Sequence, residues 1–168
     1  MGFVQAMGQP IINYNTIKYK GLYIDDKETG YYCILYYWNS NIEYQGSMKC
    51  GYMDGYGTKY DMNSNKIYSG NFVKNRYVGF GTEFYEEGGI KYIGNYLKGL
   101  RSDSGQGYDG NGKLKVKGKF LKNELVGFGV EYWGNGQIKN IGGWKFDRRG
   151  CYNLNDEWFF DDDQFDDF

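Results

Sequence analysis

Three groups of residues have the types and spacing to do chemistry, and each also has a plainer reading. Glu83 and Glu131 recur at one position of a 24-residue period. A carboxylate pair hydrolyses glycosides when it sits in a cleft about 5–10 Å apart with divergent pKa values. Here the acids stand two periods apart, with Gly107 at the position between them and Lys59 at the earlier one. A solvated strand face is expected. Gly105-Gln106-Gly107-Tyr108-Asp109-Gly110 fits G-x-G-x-x-G. Dinucleotide binding needs a strand before that motif and a helix after it, so that phosphate meets a helix N-terminus. Gly105 is instead in phase with Gly57, Gly81 and Gly129, so repeat geometry accounts for it. Lys74, Lys98 and Lys122 sit beside turn residues, and Lys115, Lys117 and Lys119 make a basic strand face. They suit an anionic surface, either lipid headgroups at ~1 kcal/mol per basic residue or nucleic acid. Lysines also guard hairpin edges against aggregation, and that is the favoured reading.

The chain of 168 residues has no histidine, which removes the commonest general base and metal ligand. Cys33, Cys50 and Cys151 have no metal or redox spacing. An odd count without a secretory signal favours reduced thiols in an intracellular compartment. No stretch approaches transmembrane length, and Ala6 stands where a myristoylation motif wants Ser or Thr. No catalytic residue, cofactor or metal is expected. Phe80 and Phe128 are of a type that stacks bases, but their register assigns them to the core, so nucleic acid is not an expected partner.

The elements that position these residues follow from glycine. Gly46, Gly70, Gly94, Gly118 and Gly142 are 24 residues apart, and Gly57, Gly81, Gly105 and Gly129 keep the same interval. A fixed period of this size marks a repeat architecture. Ile90, Tyr92, Gly94 and Tyr96 alternate with Lys91, Ile93 and Asn95, the mark of a strand with one face committed to packing. Gly51, Asn75, Gly99, Asn123 and Asp147 follow, residue types that accept a left-handed turn. In the return strand Phe80, Thr82 and Phe84 share one face, which reads as apolar, while Gly79, Gly81 and Glu83 share a nearly bare one. Ser64, Gly88, Gly112 and Gly136 mark the turn into the next copy. Glycine weakens a strand, so its recurrence predicts a close visitor, an aromatic ring from an adjacent strand. One repeat is a β-hairpin, and stacked copies bury a continuous face. The predicted fold is all-β: an elongated single-layer antiparallel sheet rising roughly 10 Å per repeat, about 40–50 Å in all.

The repeat resembles the MORN (membrane occupation and recognition nexus) family. Its aromatic-x-Gly-x-aromatic strand, turn, Gly-x-Gly and further aromatic are matched by Tyr44-Gly46-Met48 with Gly55, Gly57 and Tyr60, and by Tyr68-Gly70-Phe72 with Gly79, Gly81 and Phe84. Tyr92-Gly94-Tyr96 with Gly105 and Tyr108 follows, then Gly118-Phe120 with Gly127, Gly129 and Tyr132. Asp103 and Ser104 depart from the pattern in the third copy, and Asn140, Cys151 and Asn153 erode the last. The resemblance implies a non-enzymatic structural or scaffold subunit that holds protein partners in a larger assembly, cytoskeletal or ciliary among others. Its alternative implication is a peripheral membrane module recognising anionic headgroups.

The sequence divides into an arm at residues 1–16, a degenerate capping repeat at 17–41, repeats at 42–150 and a tail at 151–168. In the capping repeat Tyr19-Lys20-Gly21-Leu22-Tyr23 reads as the first strand, Asp25 to Gly30 as a polar turn, and Tyr31 to Trp38 as an apolar strand. The last thirteen residues hold seven acids and no Lys or Arg. Removing those seven from 21 acids leaves 14 against 20 basic residues, so the body carries about +6 and the tail −7. Such asymmetry belongs to interaction tails. Trp158, Phe159, Phe160, Phe165 and Phe168, with Asp161, Asp162 and Asp163, are the candidate partner-binding residues. They either cap the last sheet edge or insert into a partner.

Overall fold

The computed structural model describes residues 12–13, 16–17, 19–24, 27–147 and 150–153. Short alternating segments separated by left-handed turn residues give β1 (Ile12–Asn13), β2 (Thr16–Ile17), β3 (Tyr19–Ile24), β4 (Lys27–Tyr36), β5 (Ile42–Lys49), β6 (Tyr52–Tyr60) and β7 (Lys66–Val73). β8 (Arg76–Phe84), β9 (Ile90–Leu97), β10 (Leu100–Tyr108), β11 (Leu114–Leu121), β12 (Glu124–Tyr132), β13 (Ile138–Asp147) and β14 (Gly150–Asn153) complete the chain. β1 and β2 pair with each other, and β3 to β14 form one open antiparallel sheet in which each strand pairs only with its sequence neighbours. Twelve strands at ~4.8 Å spacing span roughly 50 Å. The described residues contain no helix. The predicted all-β hairpin sheet is the observed one.

Turn chemistry sets the register. Cys50-Gly51, Lys74-Asn75, Lys98-Gly99 and Lys122-Asn123 each place two successive residues at positive φ, for example 47° and 66° at Lys74-Asn75. That is the type I′ turn, whose twist matches the strands it joins. The turns between hairpins are longer. In one, the Asp61 carboxylate accepts from the backbone N–H groups of Asn63 and Asn65, both at 2.8 Å. Asp109 does the same for Asn111 and Lys113.

The two glycine series join into one line across the sheet. Cα pairing runs Gly46–Gly57–Gly70–Gly81–Gly94–Gly105–Gly118–Gly129–Gly142 without interruption. Tyr44, Tyr68 and Tyr92, each two residues before a glycine of this line, lay their rings over it. A Cβ on Gly57, Gly81 or Gly105 would collide with the ring and hydroxyl of the neighbouring strand's tyrosine. The predicted ring on bare backbone is therefore present at Gly81. At Gly129 the visitor is the aliphatic side chain of Leu125, because Val116 occupies the tyrosine position in that copy and is too short to reach.

Three hydroxyls follow one pattern, while that of Tyr92 is buried without a hydrogen-bond partner among the described residues. Tyr19, Tyr44 and Tyr68 each donate to the carbonyl three residues on, at 2.9 Å to Leu22, 2.8 Å to Ser47 and 3.3 Å to Asn71. The rings then tile edge to face. Tyr44–Phe72, Phe72–Tyr68, Tyr68–Tyr96, Tyr96–Tyr92 and Tyr92–Phe120 have centroids 5.1–5.4 Å apart and planes 83–89° apart. Tyr77 lies parallel on Tyr68 at 3.8 Å. Each such pair contributes about 0.5–1.5 kcal/mol beyond its buried area. A single sheet thus acquires a core because one face is roofed by its own aromatic side chains.

The ends differ from expectation in two places. In the first copy Cys33 occupies the glycine position opposite Gly46, and the Tyr19 hydroxyl lies 3.0 Å from its Sγ. β4 begins at Lys27 and ends at Tyr36, so Lys27 to Gly30 extend the strand instead of forming the turn, and Trp38 lies beyond it. In the last copy Asp147 pairs with Gly150, so it extends the ladder where a left-handed turn residue was expected.

Candidate binding face

The face opposite the tyrosine roof is built by an interruption in the return strands. Gly70 pairs with Gly81, but Asn71 pairs with Val78, leaving Gly79 and Phe80 bulged from β7. Gly127 and Phe128 are bulged from β11 in the same way. Gly79 and Gly127 both have φ of 63°, which glycine accepts freely and a side chain resists. Bulges bend a strand and re-aim the next side chain. Here they turn Phe80 and Phe128 into solvent, 61% and 68% exposed, with Tyr56 at 62% in the equivalent place. The sequence had assigned Phe80 and Phe128 to the core. The correction follows from the tyrosines: once Tyr68 covers Gly81, the Gly81 face is buried and the Phe80 face is the open one.

Tyr56 and Phe80 stand two strands apart, about 10 Å along the row, and Phe80 and Phe128 four strands apart, about 20 Å. Between them the row holds short or flexible residues, Asn71 opposite Tyr56, Asn95 opposite Phe80 and Gly143 opposite Phe128. The adjoining row includes Thr58, Ser69 and Thr82, with Thr58 and Ser69 hydroxyls 3.1 Å apart. In the third copy Ser104 replaces the ring and pairs with Lys119, while Gln106 pairs with Lys117. The missing ring leaves a cleft of about 440 Å³, walled by Phe80 and Phe128, with Gly94, Gly105 and Gly118 in its floor and Lys117 and Lys119 along it.

The sequence-derived sites distribute as follows. Lys117 and Lys119 meet in this cleft, and Lys115 is exposed on the same strand. Lys74, Lys98 and Lys122 occupy the first central position of their I′ turns, along one margin of the sheet and away from the cleft. Trp158, Phe159, Phe160, Asp161, Asp162, Asp163, Phe165 and Phe168 lie outside the described residues. Gly105 of the G-x-G-x-x-G stretch belongs to the glycine line, and strand β11 follows, so repeat geometry explains the motif.

Glu83 is not a solvated strand residue. Its carboxylate is 20% exposed and ion-paired to Arg101 at 2.6 Å and Lys91 at 2.8 Å, and it accepts from the Tyr96 hydroxyl at 3.2 Å. Burial alone would raise its pKa, but the bonds from Lys91 and Arg101 outweigh it and hold the carboxyl below its ordinary range. The Arg101 guanidinium, in turn, lies 4.6 Å from the centroid of Tyr92. Glu131 pairs with Lys139 at 3.1 Å and accepts from the Asn140 amide. Both acids therefore sit on the tyrosine face and tie neighbouring strands together. The repeated spacing of Glu83 and Lys91, mirrored by Glu131 and Lys139, was the signal for this in the sequence.

Among the described residues no helix is long and apolar enough to cross a membrane, and no three His, Cys, Asp or Glu side chains converge in a metal-binding arrangement. No protein-family model matches the chain, and no curated protein matches it.

Proposed function

We propose that this chain is a non-enzymatic binding module, a rigid hairpin sheet that holds protein partners of a larger assembly on its open face. The observation that carries this reading is the row of exposed rings. Tyr56, Phe80 and Phe128 stand in solvent although the same sheet covers its other face with a core made mostly of aromatic side chains. Scattered exposed apolar residues need no explanation, whereas a regular row rimmed by polar ones marks an interaction surface. The bulges that raise the rings cost ladder hydrogen bonds, which fits a feature retained for contact. The resemblance of the repeat to MORN modules supports the same reading, with cytoskeletal and ciliary assemblies among the settings it suggests.

The test is affinity capture with the full chain from the cells that make it, beside a Phe80→Ser/Phe128→Ser chain. Partners held by the first and lost by the second are expected. Identical sets from both would overturn the proposal.

A second reading, binding to anionic lipid headgroups, is favoured by Lys74, Lys98 and Lys122, which share one margin of the sheet at I′ turns. Three such lysines supply about 3 kcal/mol near an anionic surface. Flotation with phosphatidylserine vesicles at low and high salt tests it. Binding that survives Lys74→Gln/Lys98→Gln/Lys122→Gln unchanged, or no binding at low salt, would remove it.

A further inference from the structure

We propose that residues 154–168, the acidic aromatic segment, fold back across the cleft between Phe80 and Phe128, with an aromatic ring in the place that Ser104 leaves empty. Three observations converge on this occupant. The first is shape. The row has rings at Tyr56, Phe80 and Phe128 but a serine at the intervening position, and the cleft there is floored by backbone at Gly94, Gly105 and Gly118, which suits a flat ring from elsewhere. The second is charge. Lys117 and Lys119 are exposed and form no ion pair or side-chain hydrogen bond among the described residues, unlike Lys91 and Lys139, which neutralise Glu83 and Glu131 on the other face. The cleft lining contains no carboxylate, and the segment carries seven with no basic residue. The third is position. Asn153 pairs with Trp144 and Trp144 with Gly127, so the chain leaves β14 level with Phe128 and two strands from it. That is about 10 Å, and Lys119 lies one strand further. Seven or eight extended residues reach about 25 Å, enough to set Asp161, Asp162 and Asp163 beside Lys117 and Lys119 and a neighbouring ring in the cleft.

The contact would cover the face assigned above to partners, so the segment would act as an internal competitor that a partner displaces. That consequence rests on the partner reading; the contact itself does not.

Carbodiimide coupling of the full chain joins a lysine amine to a carboxylate that touches it. Peptide mapping is expected to find Lys117 or Lys119 joined to Asp161, Asp162 or Asp163 within one chain. The yield should exceed that at Lys74 or Lys98, which carry the same charge on the sheet margin. In Phe80→Ser/Phe128→Ser the same products should fall about fivefold although both lysines remain. Products spread evenly over the exposed lysines, or formed only between two chains, or unchanged in the double variant, would overturn the proposal. Because the measurement uses the isolated chain, it is decided separately from partner capture.

Discussion

Tyr68 and Phe80 belong to one hairpin and flank the same glycine line, yet Tyr68 is fully buried and Phe80 is mostly in water. Tyr68 lies flat across Gly70 and Gly81 and passes its hydroxyl to a backbone carbonyl. Phe80 stands on a bulge, with glycine on both sides and no roof over it. The two faces of the sheet therefore divide the work. One face supplies nearly all the cohesion, and the other is free to carry contact residues at little cost to stability. If this division is right, chemical or mutational damage should be large on the tyrosine face and negligible on the open one.

The largest effect is expected from alkali. Burial pushes the hydroxyls of Tyr44, Tyr68 and Tyr96 upward, and that of Tyr92 up to about 12 despite the neighbouring Arg101. A pKa raised in the folded state means stability that is full below about pH 10 and lost as pH rises through the folded values. Unfolding followed by circular dichroism should coincide with the rise in phenolate absorbance. The acid side has the opposite sign: the depressed Glu83 contributes above about pH 4, and its share is lost as pH falls through its lowered folded value. Asp61 is lowered too, its slight desolvation outweighed by the Asn65 and Asn63 hydrogen bonds of its turn, and it lies at the surface, so the acid loss is smaller than that of four buried phenols and the alkaline transition should be the more complete.

Next comes Tyr68→Ala, expected to cost about 3–5 kcal/mol in chemical denaturation, since it uncovers two glycines and removes three ring contacts. Gly81→Ala should cost about 3 kcal/mol, because the new Cβ meets the Tyr68 ring, which its neighbours hold in place. Gly129→Ala sharpens the comparison. Its Cβ would meet the Leu125 side chain, the methyls at 3.0 and 3.2 Å and Cγ at 3.3 Å, and a leucine can shift, so a loss of about 1 kcal/mol is expected. Equal losses at Gly81 and Gly129 would mean that the rings are not what makes glycine necessary. The smallest effect is reserved for the open face: Phe80→Ser/Phe128→Ser should move the denaturation midpoint by no more than about 0.5 kcal/mol per site.

Much of this arrangement was legible before any coordinates. The 24-residue spacing, the left-handed turn residues and the recurrence of glycine in strands lead to a hairpin sheet with rings on bare backbone. The face of Phe80 was not legible, because alternation says that two sets of residues lie on opposite sides without saying which side is covered. The decision lies in which aromatic has a glycine two residues further on in its own strand, as Tyr44, Tyr68 and Tyr92 do. Glu83 was misplaced for a related reason. Its partner Arg101 comes from the next hairpin, at the position filled by Tyr77 in the preceding copy, and a single repeat gives no sign of that exchange. The Leu125 replacement at Gly129 is likewise a compensation between two positions, Val116 and Leu125, neither informative by itself.

The strand order has a kinetic consequence. β-sheet proteins commonly fold slowly because distant segments must find one another before any pairing is rewarded. Here every strand of the sheet pairs only with the segments immediately before and after it in the chain, so each closure spans a hairpin or its neighbour and the loop entropy stays small. Nucleation is available at any of the I′ turns, and growth proceeds outward from whichever forms first. Such a chain should fold at rates closer to those of helical bundles than of β-sandwiches, and its first hairpins can form while the later ones are still being synthesised.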